Sequence, residues 1–234
     1  MDIWMKGSAV GFLAILVAMP AFAENPAVEA ANYAVSAALS NGDIGDSYGL
    51  SATARFPLVE YTGASVSGQY AEFKGADNVI DSSSRSAALG LFIRKFDLGV
   101  VSLDYSHTRS SPEGGFGLKD YNTNSLLLTG TYYLDRFDLS LGRTKFRGVG
   151  ETLSASHLGV AYYLDDSFRL GAGYSSANGE HAKSLQFNYQ PAVFGNAIGL
   201  SGGYTNTRDD DSISLSISYF FNTRVSLIDR TRRY

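Results

Sequence analysis

The chain has 234 residues, a net charge of −4, 25 Gly, 14 Phe, 15 Tyr and no Cys. A disulfide framework, a cysteine zinc cluster and a cysteine nucleophile are therefore excluded, and the charge gives no general case for nucleic-acid binding. All three Met and the single Trp fall within residues 1–19, which marks the start of the chain as a separate object.

Residues 1–23, MDIWMKGSAVGFLAILVAMPAFA, read as an export signal. Lys6 supplies the positive end, residues 9–18 the short apolar run, and Pro20 the helix break. Ala21-Phe22-Ala23 then fits the small-x-small cleavage rule. The run is shorter than the roughly 18 apolar residues of a spanning helix. Cleavage after Ala23 is the expectation, and the mature chain leaves the cytoplasm.

From there the chain alternates with a period of two, the signature of strands with two different faces. The apolar phase is predicted to fall at Tyr33–Leu39, Tyr48–Phe56, Ala64–Tyr70, Leu89–Ile93, Val101–Tyr105 and Leu126–Leu134. It continues at Phe137–Leu141, Leu158–Leu164, Phe168–Tyr174, Leu185–Tyr189 and Ile198–Tyr204. The clearest case closes the series: in SISLSISYFF, Ile213, Leu215, Ile217, Tyr219 and Phe221 share one face and Ser214, Ser216 and Ser218 the other. Twelve strands is the reading, with ten or fourteen as alternatives because the third and fourth can be divided differently. No later stretch keeps a helical period.

Connections after even strands are read as tight (57–60, 95–97, 135–136, 165–167, 191–196). Those after odd strands are read as mostly longer and richer in Gly, Asn, Asp and Ser (41–47, 74–84, 109–120, 145–151, 175–182, 205–211). The mature-chain prolines, Pro26, Pro57, Pro112 and Pro191, are expected to avoid strand interiors. Tyr132-Tyr133-Leu134-Asp135 followed by Phe137 is echoed by Tyr162-Tyr163-Leu164-Asp165 followed by Phe168, a repeated hairpin unit with Asp at the turn.

A soluble sandwich also alternates, but its second sheet face would not be small and polar throughout. Here that face carries Asn32, Ser36, Ser51, Thr53, Ser102, Ser106, Gly199 and Ser201. Aromatics gather near both strand ends: Tyr33, Phe56, Tyr132, Phe137, Tyr162, Phe168, Phe194, Tyr219 and Phe221 by the short turns, and Tyr48, Tyr70, Tyr105, Phe146, Tyr174 and Tyr204 by the loops. Two girdles about 25 Å apart mark the lipid band of a transmembrane barrel. The fold class expected is all-β, an antiparallel up-and-down transmembrane β-barrel over residues 24–221.

These features resemble a Gram-negative outer-membrane β-barrel protein, porin-like in the broad sense. The resemblance implies that Ile213, Leu215, Ile217, Tyr219 and Phe221 form the closing-strand signal read by the barrel assembly machinery. It also implies an outer-membrane location among lipid and lipopolysaccharide. The chain departs from the pattern by continuing past Phe221. Residues 222–234 carry +3, leaving −7 on the rest. This cationic periplasmic tail reads first as a disordered extension, with a docking segment or a further partial strand as alternatives.

No metal site and no cofactor are expected. The Asp209-Asp210-Asp211 run reads as a solvated loop rather than a cation site. His107 falls in the outward phase beside Tyr105 and Arg109 without a Ser, His157 falls inward, and His181 in a loop, so catalysis is not expected. A lipid-modifying enzyme is the weakest rival. Inward charges are read as Arg55, Arg94, Asp104 and Arg169, the pore-lining candidates, with the three arginines near the short turns. The expectation is a monomeric channel for small hydrophilic solutes with a mild anion preference. Its chief rival is a structural or adhesion barrel acting through its loops.

Overall fold

A computed structural model of the chain describes residues 32–59, 61–76, 79–113, 119–148, 152–221 and 225–233. The expected signal, 1–23, lies outside them. Among the described residues twelve strands run in order: β1 (Asn32–Gly42), β2 (Gly45–Val59), β3 (Thr62–Gly75), β4 (Ser82–Lys95), β5 (Gly99–Pro112), β6 (Tyr121–Leu134), β7 (Phe137–Arg147), β8 (Thr152–Asp165), β9 (Phe168–Ala177), β10 (Glu180–Tyr189), β11 (Ile198–Asn206) and β12 (Asp211–Phe221). Each pairs antiparallel with its sequence neighbours, and β12 pairs with β1 to close the barrel. Closure leaves no unpaired edge, which is what lets strands cross a bilayer.

The register gives the barrel its dimensions. Pairing leads from Tyr33 across successive strands to Ser154 on β8, and from Gly42 the other way round to Gly159. The sheet therefore closes with a stagger of about 14 residues, which sets a strand tilt of roughly 40° and a backbone radius of roughly 11–12 Å.

The two faces fall as the alternation predicts. On β12, Ile213, Leu215, Ile217, Tyr219 and Phe221 are all exposed on the outside. The same holds for Leu89, Leu91 and Ile93 on β4 and Leu139 and Leu141 on β7. A water-soluble fold would not leave so continuous an apolar surface bare. Aromatic pairs ring the short-turn end: Phe137–Tyr162 with ring centroids 4.7 Å apart, Tyr219–Phe221 at 4.8 Å, and Phe168–Tyr189 at 5.9 Å.

The connections differ from the expectation in two places. Strands β1 and β2 run almost into each other, as do β9 and β10, so 41–47 and 175–182 are tight hairpins rather than loops. At the second, Asn178 (φ 50°) and Gly179 (φ 85°) both adopt left-handed backbone, the two-residue turn that Asn-Gly favours because its twist matches the flanking strands. Pro57 lies inside β2, but at a register shift between Pro57 and Val59, where a missing N–H is tolerated. Phe146 belongs to the inward phase of β7, not to the loop-end girdle.

Past β12 the described residues 225–233 include helix α1 (Leu227–Arg233). This replaces the expected disordered extension. The local reason is a cap: the Asp229 N–H donates to Ser226 Oγ at 3.2 Å, and the Ser226 hydroxyl donates to Asp229 Oδ2 at 2.8 Å. Ser226 is thus a serine N-cap, its hydroxyl taking part in both bonds. Arg230, Arg232 and Arg233 occupy the last turn, where cations complement the helix dipole.

Candidate functional site

The lumen changes character along its axis. Midway and towards the loops its wall is built of small hydroxyl residues joined across strands: Ser36–Ser218 at 2.8 Å, Ser106–Ser125 at 2.6 Å and Ser201–Ser216 at 2.6 Å. Towards the short turns the inward positions become large and charged.

One side of this end is built on β2 to β5. Arg55, Ser65, Gly90 and Asp104 lie in a single row of paired residues. Asp104 accepts from the Ser65 hydroxyl at 3.2 Å and the Ser102 hydroxyl at 2.8 Å. Gly90 leaves room for this arrangement, because a Cβ there would press on Asp104 Oδ1 and Ser65 Oγ. One step nearer the turns, the Phe92 ring lies across Gly63, where a Cβ would collide with it. Both Arg55 and Arg94 place their guanidinium carbons over that ring, at 5.8 and 5.2 Å, within cation–π range. Arg94 is 3% exposed, and its Nε and Nη1 have no hydrogen-bond partner among the described residues.

The other side is centred on Asp138 of β7, whose side chain is fully enclosed. Its Oδ2 accepts from the Tyr163 hydroxyl at 2.8 Å and lies 3.5 Å from Arg169 Nη2. Its Oδ1 accepts from Arg232 Nε at 3.2 Å and Nη2 at 3.0 Å. One carboxylate is thus shared by a wall arginine and an arginine of α1.

Helix α1 sits within this end. Ile228 N–H donates to the Asp166 carbonyl at 3.1 Å. Gln190, buried at the end of β10, donates to the Val225 carbonyl at 2.7 Å and the Asn196 carbonyl at 2.6 Å. Arg230, 2% exposed, donates to Gln190 Oε1 at 3.2 Å and to the Asn196 carbonyl at 3.2 Å, and lies 3.8 Å over the Phe220 ring. Arg232 also donates to the Phe137 carbonyl at 3.2 Å and lies over Tyr133 and Tyr163. Arg233 lies 5.7 Å over Phe96, in the β4–β5 turn.

Of the four charges singled out from sequence, Arg55 and Arg94 meet at Phe92, Arg169 meets Asp138, and Asp104 is held by its serines within electrostatic reach of Arg55. Asp138 was missed, although Phe137 and Leu139 in the outward phase already place it inward. The Ser226 cap was also missed: it is four residues of signal in a tail judged by its charge.

The remaining polar candidates are placed as follows. His107 lies opposite Ala87 and Asn124, and its Nδ1 is bonded to Asn124 Oδ1 at 2.8 Å. His157 folds across Gly142. His181 bonds the Tyr174 hydroxyl at 2.8 Å. In the Asp209–Asp211 run, Asp210 is buried rather than solvated and accepts from the Ile44 N–H at 3.2 Å. Among the described residues no cluster of His, Asp and Glu could hold a metal.

No family model and no curated protein matches the chain. Solved structures do. The KdgM porin in complex with disordered oligogalacturonate aligns over 80% of this chain and 98% of its own, with a TM-score of 0.58 and 11% identity. The COG4313 outer membrane channel from Pseudomonas putida F1 aligns over 81% and 94%, with a TM-score of 0.62 and 9% identity. A mutant of the TodX monoaromatic hydrocarbon channel aligns over 88% and 96%, with a TM-score of 0.55 and 11% identity. At such identities the likeness is one of fold. The chain is a closed twelve-stranded antiparallel β-barrel, a fold it shares with these outer-membrane channels.

Proposed function

We propose that the protein is an outer-membrane channel for passive diffusion of small hydrophilic solutes, with a mild anion preference set at the short-turn end. The observation that carries this is the lumen itself. Its wall is hydroxyl-rich along much of its length, and Arg55 and Arg94 reach its narrow end without an acidic partner among the described ion pairs. Rings of charge at a constriction bias the ions that pass it. Solved channels of the same fold support the reading. Ile213, Leu215, Ile217, Tyr219 and Phe221 serve as the assembly signal on the exposed face of β12.

Purified, refolded protein in planar bilayers tests this. A reversal potential displaced towards anions under a salt gradient is expected. An Arg55→Ala/Arg94→Ala pair with unchanged ion selectivity removes the anion preference while leaving the channel.

The second reading, a structural or adhesion barrel working through its loops, draws on the crowding of the short-turn end by α1. Absence of conductance steps at both polarities favours it. For the enzyme reading, the bond between His107 and Asn124 supplies an oriented imidazole without a nucleophile beside it. Phospholipid turnover abolished by His107→Ala would be needed to revive it.

A further inference from the structure

We infer that α1 is a tethered plug, and that Arg230 and Arg232 are the latch that holds it in the short-turn mouth of the lumen. The inference rests on the channel reading and adds a closed state to it.

The first argument is where α1 touches the wall. Arg230 binds beside β10 and β12, through Gln190, Asn196 and Phe220. Arg232 binds β6, β7 and β8, through Tyr133, Asp138 and Tyr163. Arg233 reaches Phe96 between β4 and β5. In a closed ring of twelve strands, β10 and the β4–β5 turn are nearly opposite. A seven-residue helix touching both therefore spans the opening.

The second argument is size. A helix with its side chains is about 10–12 Å across. The backbone radius of the barrel is roughly 11–12 Å, and inward Tyr133, Tyr163, Phe92 and Phe220 take much of that. Little cross-section remains beside α1.

The third argument is the nature of the contacts. Those that fix its arginines are hydrogen bonds, an ion pair and cation–π contacts with Phe220, Tyr133, Tyr163 and Phe96. Arg230 and Arg232 are each held by hydrogen bonds that water can replace once the helix leaves. Asp138 keeps Arg169 and the Tyr163 hydroxyl as partners after Arg232 departs. Both the plugged and the vacated wall thus satisfy Asp138, which suits a seat that is vacated and refilled better than a permanent core.

The experiment compares three proteins in planar bilayers: the full chain, the chain lacking 222–234, and the full-length Arg230→Ala/Arg232→Ala variant. Heat-modifiable gel mobility confirms that each is folded. The full chain is expected to show small or rare steps, and both altered proteins steps severalfold larger. Amides of 227–233 are expected to lose hydrogen-exchange protection in the double variant while β7 keeps it. Equal steps in all three overturn the plug and leave the channel standing. Folded barrels silent in all three overturn both. Protection of 227–233 retained in the double variant shows that the two arginines are not the latch. Should the shortened chain fail to fold, the full-length double variant decides alone.

Discussion

Replacing Asp138 with Ala removes one carboxylate and strands three donors: the Arg169 and Arg232 guanidiniums and the Tyr163 hydroxyl. Two scales compete for the size of the effect. An exposed ion pair is worth about 0–1 kcal/mol, whereas removing one partner of a buried pair costs about 3–5 kcal/mol. Asp138 is fully enclosed, but Arg169 and Arg232 retain 21% and 15% side-chain exposure towards the lumen. Water can therefore reach the stranded cations, and the lower end of the buried range applies, about 3 kcal/mol. At about 1.4 kcal/mol per tenfold, that is roughly a hundredfold in the equilibrium between folded and unfolded, or between seated and released helix. Asp138→Asn keeps an acceptor and is expected to lose about half as much, since hydrogen bonds to charged groups contribute about 1.5–3 kcal/mol. Urea unfolding in detergent, followed by far-UV circular dichroism, gives the global cost; there is no Trp among the described residues to report it. A double-mutant cycle with Arg232→Ala isolates the contact with α1, and a coupling of about 1–3 kcal/mol is expected for residues in one network. A loss below about 1 kcal/mol for Asp138→Ala, with no coupling to Arg232, would refute the claim that this carboxylate organises the short-turn end.

Three further outcomes are expected. Leu141→Arg puts a charge near the middle of β7 on a side chain that is 66% exposed on the outside. It should cost about 2–4 kcal/mol when the barrel folds into lipid vesicles, and no loss there means that this face does not meet lipid. Gly63→Ala forces the Phe92 ring off its seat. It should lower the unfolding midpoint by about 1–3 kcal/mol, with part of the loss recovered in Gly63→Ala/Phe92→Leu; a neutral single variant contradicts the packing described. Between β5 and β6, hydrogen bonds from the Arg109 guanidinium, and then Ser111, hold the Asp120 carboxyl below the usual carboxylate range. The stabilisation is therefore present above the unfolded value near pH 4 and lost as pH falls through the lower folded value. Arg109→Gln should bring Asp120 titration, read by carboxyl NMR, up to the ordinary range, and an unmoved titration breaks the assignment.

The alternation of SISLSISYFF is readable as a strand with a lipid face because side-chain phase is a local property: period two needs nothing beyond the chain itself. The strand count, the two faces and most of the outer aromatics were legible for that reason. The turn at Asn178-Gly179 and the bulge at Pro57 were also written in short-range chemistry, but their lengths were misjudged because turn residues also fill loops. Asp138 was legible in phase and overlooked in role, since its importance comes from Arg169, thirty residues on, and from Arg232 in the tail.

By itself, then, the sequence determined a barrel wall: which residues alternate, which face outward, and where the chain turns. Barrel closure with its stagger, the meeting of Arg55 and Arg94 over Phe92, and the seating of α1 inside the mouth were decided by tertiary structure alone. The physical reason is that each depends on bringing residues from distant strands to one point in the lumen. Composition gave the tail a charge of +3; the buried acceptors Asp138, Gln190 and Asn196 gave that charge a place to go.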